Sequence, residues 1–482
     1  LPYLNAGSPD NQKSSGGGNA WAIQSIFGRV KYNFDERYLI ESTLRYDGSS
    51  RFPKNQKYGF FPSIAGGWRI SEENFMKDHE SLDWISNLKL KVSWGRLGNQ
   101  NIGNYPYQSV YELGQNFPFG ESFSQGAAIK TATDPTIKWE ETETIDGGFE
   151  SIFWNGLLSF NASYFYRKTY DILYKPSGSV SSILGLEISE MNTGKLKNQG
   201  WEFEIGHRNK IGEVSYNVNA NLTVIKNKLL TLGVGNVEQL NGMVGNGSNL
   251  FIGQPIQMYY GYLTDGVFLD QADIDAWYDQ SKVTPKPQPG DIRYKDISGP
   301  DGVPDGVIDP NYDRVPLGSR IPKFTFGLNL GAEYKGFDIS VLIQGVAGVK
   351  GLLENYAGYA FRQNGNVQVW QAEGRFDPAN PTRYPAYPRL EELSNTIGPN
   401  IQTSDFWILD ASYIRLKNIQ LGYSLPKKLM QAAKLGGLRI YVQAENPLTW
   451  NKYRKGWDPE INTGGQYYPI LATYTFGVNF NF

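Results

Sequence analysis

The stretch with the clearest capacity for chemistry is DISGPDGVPDGVIDPNYD, residues 296–313. Its acids and glycines follow the order in which an EF-hand loop presents oxygen ligands, a turn glycine and a backbone carbonyl, which suits Ca²⁺. Val303 occupies the third-ligand position, an extra residue precedes Asp313, and Asp296 with an insertion offers another start. Bound Ca²⁺ and a solvated Asp/Gly turn therefore both remain open. The candidate ligands are Asp301, Asp305, Val307, Asp309 and Asp313.

Aromatic residues in one long predicted loop offer a binding surface of a different kind. Large rings with a polar tip commonly line ligand sites, and these rings are candidates to stack on sugars. Packing of the rings against the rest of the loop is the alternative. The candidate substrate contacts are Tyr356, Tyr359, Phe361 and Trp370.

Residue types that catalysis needs are scarce. The chain has 0 Cys and 2 His, and His79 and His207 lie far apart without an HExxH pattern. Glu140 and Glu141 are adjacent, so on a strand they face opposite sides, unlike a glycosidase pair. Lys+Arg 46 against Asp+Glu 48 gives a net charge of −2, which disfavours nucleic acid as a partner. The sequence predicts no enzyme and no required cofactor.

The elements that must carry these loops alternate strictly in hydrophobicity. Between Val214 and Val224 apolar residues occupy every second position, and Ser, Asn and Thr occupy the others. Phe324–Ala332 and the final residues repeat the pattern. The stretches run to about 10 residues, which is the length a tilted strand needs to cross a bilayer. The sequence therefore predicts an all-β, transmembrane antiparallel β-barrel with apolar residues facing lipid and polar residues lining a wet lumen.

Composition excludes helical membrane spans, and the direction of the apolar faces separates a membrane barrel from a soluble β protein. Mean hydropathy is −0.45 and no run of about 20 apolar residues exists, so helical spans are excluded. A soluble secreted β protein that binds or hydrolyses glycans also alternates, but its apolar faces turn inward. The barrel instead requires that Tyr216, Leu328 and Phe476 lie outside any dry interior. It also places aromatic girdles near strand ends, at Trp154, Tyr164, Tyr166, Trp201, Tyr334 and Trp450.

The predicted connections alternate between short and long along about 13 strands, as outer-membrane barrels require. Residues 1–20 form an extracellular loop segment in this reading, and residues 21–482 form the C-terminal part of the barrel. An odd strand count with both end strands descending cannot close, so the missing strands must come from a second chain or from the same protein. The long extracellular loops are predicted at about 99–137, 175–197, 230–320 and 352–404.

Several motifs resemble the SusC/RagA-type TonB-dependent outer-membrane transporters of Bacteroidetes. The similar stretches are Phe27–Phe75, LKLKVSWGRLGNQNIGNY at Leu88–Tyr105, NTGKLKNQGWEFEI at Asn192–Ile205, DASYIRLKNIQLGYSLP at Asp410–Pro426 and ENPLTWNKYRKGWDPE at Glu445–Glu460. The resemblance implies a barrel of about 22 strands, of which this chain supplies the C-terminal 13 or so. It also implies a periplasmic plug, which this sequence does not contain.

The resemblance further implies a function and partners. The implied function is active import of a bulky nutrient, most simply an oligosaccharide, across the outer membrane. The implied partners are a SusD-like surface lipoprotein and the TonB–ExbB–ExbD machinery. The plug and the N-terminal barrel portion of the same transporter complete the path. A peptide importer of the same family and a passive porin are alternatives. The ending TYTFGVNFNF resembles the terminal aromatic strand recognised by barrel-assembly machinery, which predicts that deletion of Phe482 reduces membrane insertion.

Overall fold

A single antiparallel sheet of 13 strands dominates the chain and confirms the all-β prediction. The computed structural model describes residues 18–120, 122–176, 185–233, 237–238, 243–246, 248–362, 365–391, 398–432, 436–461, 464 and 468–481. Most of the predicted segment 1–20, and Phe482, lie outside the described residues. We call this sheet the wall.

Each wall strand pairs with the wall strands before and after it in sequence, so the wall consists of successive hairpins. The first and last strands have one neighbour each among the described residues. The strands are β1 (Ile23–Phe34), β2 (Tyr38–Ser49), β3 (Tyr58–Arg69), β4 (Ile85–Asn99), β5 (Glu140–Phe153), β6 (Leu158–Tyr174), β7 (Met191–Ile211), β8 (Val214–Thr231), β9 (Phe324–Tyr334), β10 (Phe337–Ala347), β11 (Tyr413–Ser424), β12 (Gly437–Asn451) and β13 (Thr473–Asn481).

Short connections join one end of the wall strands. Between β9 and β10 the chain turns on Lys335 and Gly336, whose φ angles are 45° and 88°. Two consecutive positive φ angles give the turn that matches the twist of a two-residue hairpin, and glycine adopts them without a steric cost. Longer members of this set contain short helices. These helices are Ile70–Glu72, Asn74–Lys77, Glu80–Leu82, Trp154–Gly156 and Lys427–Ala432.

Long connections leave the opposite end, and one predicted boundary needs correction. The loop predicted at 175–197 is too long, because β7 begins at Met191 and pairs Asn192 with Leu173. This part of the strand, MNTGKLK, lacks regular alternation of apolar and polar residues, so periodicity did not reveal it, whereas backbone pairing continues beyond the apolar band.

The long connections contain only short elements. None of the described helices combines the length and the apolar character needed to cross a membrane. The elements are the strands Tyr111–Leu113, Phe117–Phe119, Ser122–Ser124, Ala127–Ile129, Thr131–Ala132, Glu187–Ile188, Val237–Glu238, Val244–Gly245, Met258–Tyr262, Thr264–Val267, Ile292–Tyr294, Arg314–Ser319, Lys350–Leu352 and Ile408–Asp410, and the helices Gln271–Asp275, Asn355–Gly358 and Val369–Gly374.

The register separates the wall into an apolar and a polar face. Across β8 and β9 the pairs Val218–Leu330 and Leu222–Phe326 alternate with Asn219–Asn329 and Thr223–Thr325. Because side chains alternate along strands and directly opposed residues share a face, the same division continues from strand to strand. The prediction of two chemically distinct faces is confirmed.

The apolar face is exposed. Phe476 is 69% exposed, and Tyr216 and Leu328 are partly exposed, so none of the three lies in a dry interior. The soluble alternative, which requires these faces to turn inward, is therefore wrong. Exposed rings also lie near both ends of the apolar band, as the girdle prediction requires. They include Trp154 and Tyr334 beside short connections, and Trp201 and Trp450 toward the long ones.

The long connections build a second body with its own hydrophobic core, which we call the cap. Three connections contribute to the cap: those between β8 and β9, between β10 and β11, and between β12 and β13. Buried residues from all three share one cluster, including Tyr294, Trp407 and Tyr453. A smaller cluster around Phe52 and Trp139 lies apart from the cap.

Candidate functional site

The polar face of the wall is the first component of the candidate site. Its middle strands carry uncharged pairs, such as Asn219–Asn329 and Asn217–Gly331. Other strands carry ion pairs that the sequence pattern did not indicate. Glu150 contacts Lys89 and Lys91 at 3.2 and 3.1 Å. The face therefore offers hydrogen-bonding groups along its length, with charge concentrated at specific strands.

The cap meets this polar face at the long-connection end of β11. Arg415 is fully buried, donates from Nη2 to Asp458 Oδ2 at 2.6 Å, and also pairs with Glu460. Its Nε donates to Thr449 Oγ1 of β12 at 2.9 Å. Tyr413, on the same face of β11, donates to Glu460 as well. A buried guanidinium with carboxylate partners thus fixes the connection between β12 and β13 to the wall.

A cavity of about 220 Å³ lies where the cap and the wall meet. Its lining includes Val346 and Tyr413, which form an opposed pair on the polar face. Arg320 and Lys350 also line the cavity, and the charges of Glu354 and Asp410 act on Arg320 and Lys350 respectively from outside its lining. The remaining charged lining group, Glu460, is occupied by Arg415 and Tyr413. The cavity can therefore accept an uncharged polar group or an anionic group.

Three of the four predicted substrate aromatics belong to the cap core. Tyr359, Phe361 and Trp370 pack against the buried cluster. The Tyr359 ring lies edge-on to Trp407, with ring centroids 5.3 Å apart. Trp370 packs edge-on to Tyr387 at 5.4 Å and donates from Nε1 to Gln368 at 2.9 Å.

The fourth predicted aromatic, Tyr356, is 43% exposed and is the one of the set with a ring accessible for stacking. For the other three rings the contacts favour the loop-packing alternative. The substrate assignment of all four stays a prediction.

The acidic segment 296–313 folds against its own backbone. The Asp313 carboxylate accepts the N–H groups of Asp309 at 2.6 Å, Ile297 at 2.8 Å and Ser298 at 3.1 Å. Burial raises the pKa of this carboxyl, although the three N–H donors oppose the shift. Asp296 accepts the Gly306 N–H at 2.6 Å. These two acids hold the segment together in a closed turn.

The other predicted ligands point to different partners. Asp309 pairs with Lys282 Nζ at 2.6 Å, and Asp305 accepts the N–H of Val307 at 3.0 Å. Asp301 lies in the exposed tip. Within the described ranges no group of three or more His, Cys, Asp or Glu side chains is placed to hold a metal ion. Calcium binding at Asp301, Asp305, Val307, Asp309 and Asp313 stays a prediction, and these contacts favour the Asp/Gly turn.

The cap also contains a cluster of paired charges that the sequence did not reveal. Arg293, 7% exposed, donates to Asp273 at 3.0 Å and also contacts Asp265, and Arg383 donates to Asp273 at 3.1 Å. Burial by itself raises the pKa of the Asp273 carboxyl, but hydrogen bonds and charge from Arg383, with the Leu269 N–H and Arg293, lower it overall. This cluster joins segments about 110 residues apart.

Comparisons of this chain with known proteins agree on one family. The family model described as "TonB dependent receptor-like, beta-barrel" matches residues 1–446. SusC, a TonB-dependent receptor of Bacteroides thetaiotaomicron, is 31% identical over 95% of this chain and 44% of its own length. TonB-dependent receptor P26 of Formosa agariphila is 30% identical over 96% of this chain and 46% of its own.

Solved structures agree in fold. The RagAB peptide transporter matches with a TM-score of 0.72 and 25% identity, covering 96% of this chain and 48% of the RagAB chain. The RagAB peptide importer in its "open-open" state matches with a TM-score of 0.73 and 26% identity, covering 96% and 47%. In every one of these comparisons the chain spans about half the length of the relative.

The matches extend over nearly all of this sequence and include both the wall and the cap. A β-barrel family accounts for the exposed apolar face, because the outer surface of a membrane barrel contacts lipid. The polar face is accordingly the lumen face. The chain belongs to the TonB dependent receptor-like β-barrel family, as a SusC/RagA-type outer-membrane receptor.

Proposed function

We propose that the chain forms part of the substrate path of an active outer-membrane importer for a bulky nutrient. The observation that carries the proposal is the continuity of the lumen face with the cap. Polar residues run along β8 and β9, and the Arg415 contacts join the wall to the cap at the extracellular end. A substrate entering past the cap would remain in contact with polar groups.

An oligosaccharide is the favoured cargo. The Asn and Thr positions of β8 and β9 supply neutral donors and acceptors, which suit hydroxyl groups and do not require a charged substrate. The likeness to SusC supports the same class of receptor. In this proposal the exposed ring of Tyr356 contacts sugar at the mouth.

A peptide is the second candidate, and the cavity between cap and wall favours it. Arg320 and Lys350 supply two cations beside Tyr259 and Tyr413, a combination that suits a carboxylate flanked by apolar groups. The RagAB structures that this chain resembles are of a peptide transporter.

The proposal includes partners outside this chain. The plug and the N-terminal barrel portion of the same transporter would complete the lumen, a SusD-like lipoprotein would cover the cap, and TonB–ExbB–ExbD would supply energy. Energy dependence separates this function from a passive porin. A proton ionophore should abolish accumulation of cargo by the importer, whereas diffusion through a porin would continue.

The test is uptake by cells that express the full-length receptor in a strain lacking it. Isotope-labelled oligosaccharides of about six sugars and labelled peptides of about ten residues, with free or amidated C-termini, are supplied separately. Accumulation of the oligosaccharide that stops with the ionophore supports the favoured proposal. Accumulation of peptide alone rejects the glycan assignment, and equal uptake with and without the ionophore rejects active import.

The cavity is tested with the double variant Arg320→Gln, Lys350→Gln. If peptides are the cargo, uptake of the free-carboxylate peptide should fall several-fold, and uptake of the amidated peptide should not change. Lys54→Gln with Lys286→Gln removes the same charge from exposed loop positions and serves as the matched control. Equal losses in both variants would assign the effect to net charge and remove the cavity from the proposal.

A further inference from the structure

A group of lysines lies on the outward, apolar side of β7 and β8, above the lipid-facing band. On β7 this side carries, in order from the short-connection end, Ile211, Asn209, His207, Ile205, Phe203 and Trp201. The next outward positions are Gln199 and Lys197, toward the extracellular end. Hydrophobic contact with lipid therefore gives way to positive charge immediately beyond a tryptophan, the residue type that marks the membrane interface.

Register aligns these side chains in rows across four strands. The row at the interface is Tyr164, Trp201, Val224 and Phe324. Two residues further along, Tyr166 lies opposite Gln199, and Gln199 lies opposite Lys226. The row beyond contains Lys168, Lys197 and Lys228, each opposite the next, and Lys168 in turn lies opposite Glu143 of β5. Successive rows are about 7 Å apart along the strands, so the lysines reach the level of lipid headgroups.

The arrangement places like charges opposite one another. Such pairs destabilise a sheet unless an opposite charge lies nearby. Yet Lys197, Lys226, Lys228 and Lys323 have no ion pair among the described residues, although the Lys197 ammonium lies 5.0 Å from the Tyr166 ring. An anion supplied from outside the chain would remove this repulsion.

These four lysines line one cavity of about 590 Å³. Its lining contains no Asp or Glu; the remaining groups include Gln199 and Gln254, whose side-chain amides can donate hydrogen bonds, and Phe324 at the membrane side. Segments 253–255 and 319–322 form part of its boundary beside the strands. One edge of the cavity is therefore apolar and adjoins the lipid-facing band, and the rest of the cavity is lined by lysines.

The cationic sector is local. On β11 and β12 the outward pairs near the extracellular end are Ile414–Trp450 and Leu416–Leu448. A ring of lysines shared by all strands would indicate a general preference for the membrane surface. On β5 and β4 the row continues with Glu143 opposite Arg96, so the lysines without an opposed acid are confined to β7, β8 and the start of β9. This confinement indicates instead a site for one molecule.

We infer that this cavity, which we call the lysine site, binds a phosphorylated lipid of the outer leaflet. Phosphate groups lie among Lys197, Lys226, Lys228 and Lys323, and acyl chains lie along Trp201, Leu222 and Phe324. Phosphate is the headgroup anion that suits several converging ammonium groups, and the adjoining apolar band accepts the chains. The inference rests on membrane location and is independent of the cargo.

The test uses full-length receptor purified from outer membranes in detergent and native mass spectrometry. Diphosphoryl lipid A and fully dephosphorylated lipid A are titrated as probes. Wild-type protein should bind the diphosphoryl form at least about tenfold more tightly, and this preference should weaken as NaCl rises. Equal affinity for the two lipids would overturn the inference.

Variants then locate the site. Lys197→Gln, Lys226→Gln, Lys228→Gln and Lys323→Gln combined should reduce the affinity for diphosphoryl lipid A to that for the dephosphorylated form. The matched control carries Lys54→Gln, Lys286→Gln, Lys452→Gln and Lys455→Gln in exposed positions and should retain the preference. Retained preference in the lysine-site variant would overturn the inference. If that variant does not fold, the lipid preference of the corresponding Lys→Arg variant and the salt dependence of the wild-type preference still test the inference.

Two further outcomes identify other occupants and would also overturn the inference. Binding of inorganic phosphate without binding of lipid would assign the cavity to a soluble anion. A change in oligomeric mass in the lysine-site variant, with lipid binding unchanged, would assign it to a protein interface.

Discussion

The wall and the cap place the same kinds of residue in opposite environments. In the wall, large apolar side chains such as Val30 and Phe476 are 70% and 69% exposed, and polar groups face the lumen. In the cap, Trp407 is 1% exposed, and charged groups such as Asp291 are buried with partners. The wall therefore needs lipid to cover its apolar surface, whereas the cap covers its own.

This difference shows which interactions stabilise each region. The wall depends on backbone pairing between successive strands, and its outward side chains contribute only when lipid is present. The cap depends on ring packing and buried ion pairs, as a soluble domain does. Substitutions should therefore separate the two regions, because each is sensitive to a change that the other tolerates.

The largest expected effect is on the cap core. Trp407→Ala removes a buried ring that packs against Tyr359, Tyr387 and Phe406 and donates to the Asn400 carbonyl at 2.7 Å. We expect a loss of about 3–5 kcal/mol in cap stability. Hydrogen exchange should increase throughout the cap and remain unchanged in the central wall strands. Tyr356→Ala, at an exposed ring, is the control; equal exchange in both variants would contradict a separate cap core.

A charge on the lipid face should lower the stability of the wall and leave that of the cap unchanged. Leu330 lies near the middle of β9, opposite Val218 and Val341. Leu330→Arg should cost about 2–4 kcal/mol of folding free energy in lipid vesicles, measured by denaturant titration. Asn329→Arg, one residue away on the lumen face, should cost less than about 1 kcal/mol. A larger cost for the Asn329 variant would reverse the assignment of the faces.

Glu460→Gln tests the junction between the two regions. The substitution removes one charge from the pair with the buried Arg415 guanidinium and should destabilise this attachment by about 1–3 kcal/mol. Limited proteolysis should become faster between β12 and β13 and unchanged elsewhere. The matched control is Glu445→Gln, at an exposed acid on β12. Equal cleavage of the two variants would show that this pair does not attach the cap.

The smallest effect concerns pH. The pKa of Asp273 is lowered from its usual value of 3.8, so its contribution to stability is present above that value and is lost as pH falls through the lowered pKa. Cap opening, followed by hydrogen exchange, should increase below about pH 4 in wild type. Asp273→Asn should weaken this acid dependence, and Asp275→Asn, at an exposed acid, should preserve it. An unaltered acid profile in Asp273→Asn would remove this group as the cause.

Much of the wall was predictable because its signal is local. Alternation from Val214 to Val224 fixes both faces of β8, and short turns such as 211–214 fix the hairpin partners. The loop predicted at 175–197 was too long because the prediction depended on this local signal. Residues 191–197 pair through the backbone above the apolar band, where side-chain alternation carries no information.

The cap was not predictable by the same means. Whether Tyr359 or Trp370 binds a ligand or fills a core depends on Trp407 and Tyr387, which lie far along the chain. The Asp273 cluster likewise joins distant segments. The spacing of acids in 296–313 matches a cation loop, but Asp313 instead accepts hydrogen bonds from backbone N–H groups that only the folded segment brings to it.

The neighbour-to-neighbour order of the wall strands has a consequence for the time course of assembly. Each hairpin closes within a short stretch of chain, so strands can join the sheet one after another. The cap core instead joins Tyr262 to Tyr453, which lie far apart in the chain, so it closes only when both segments have been brought together. We therefore expect the barrel strands to pair early and the cap to close last.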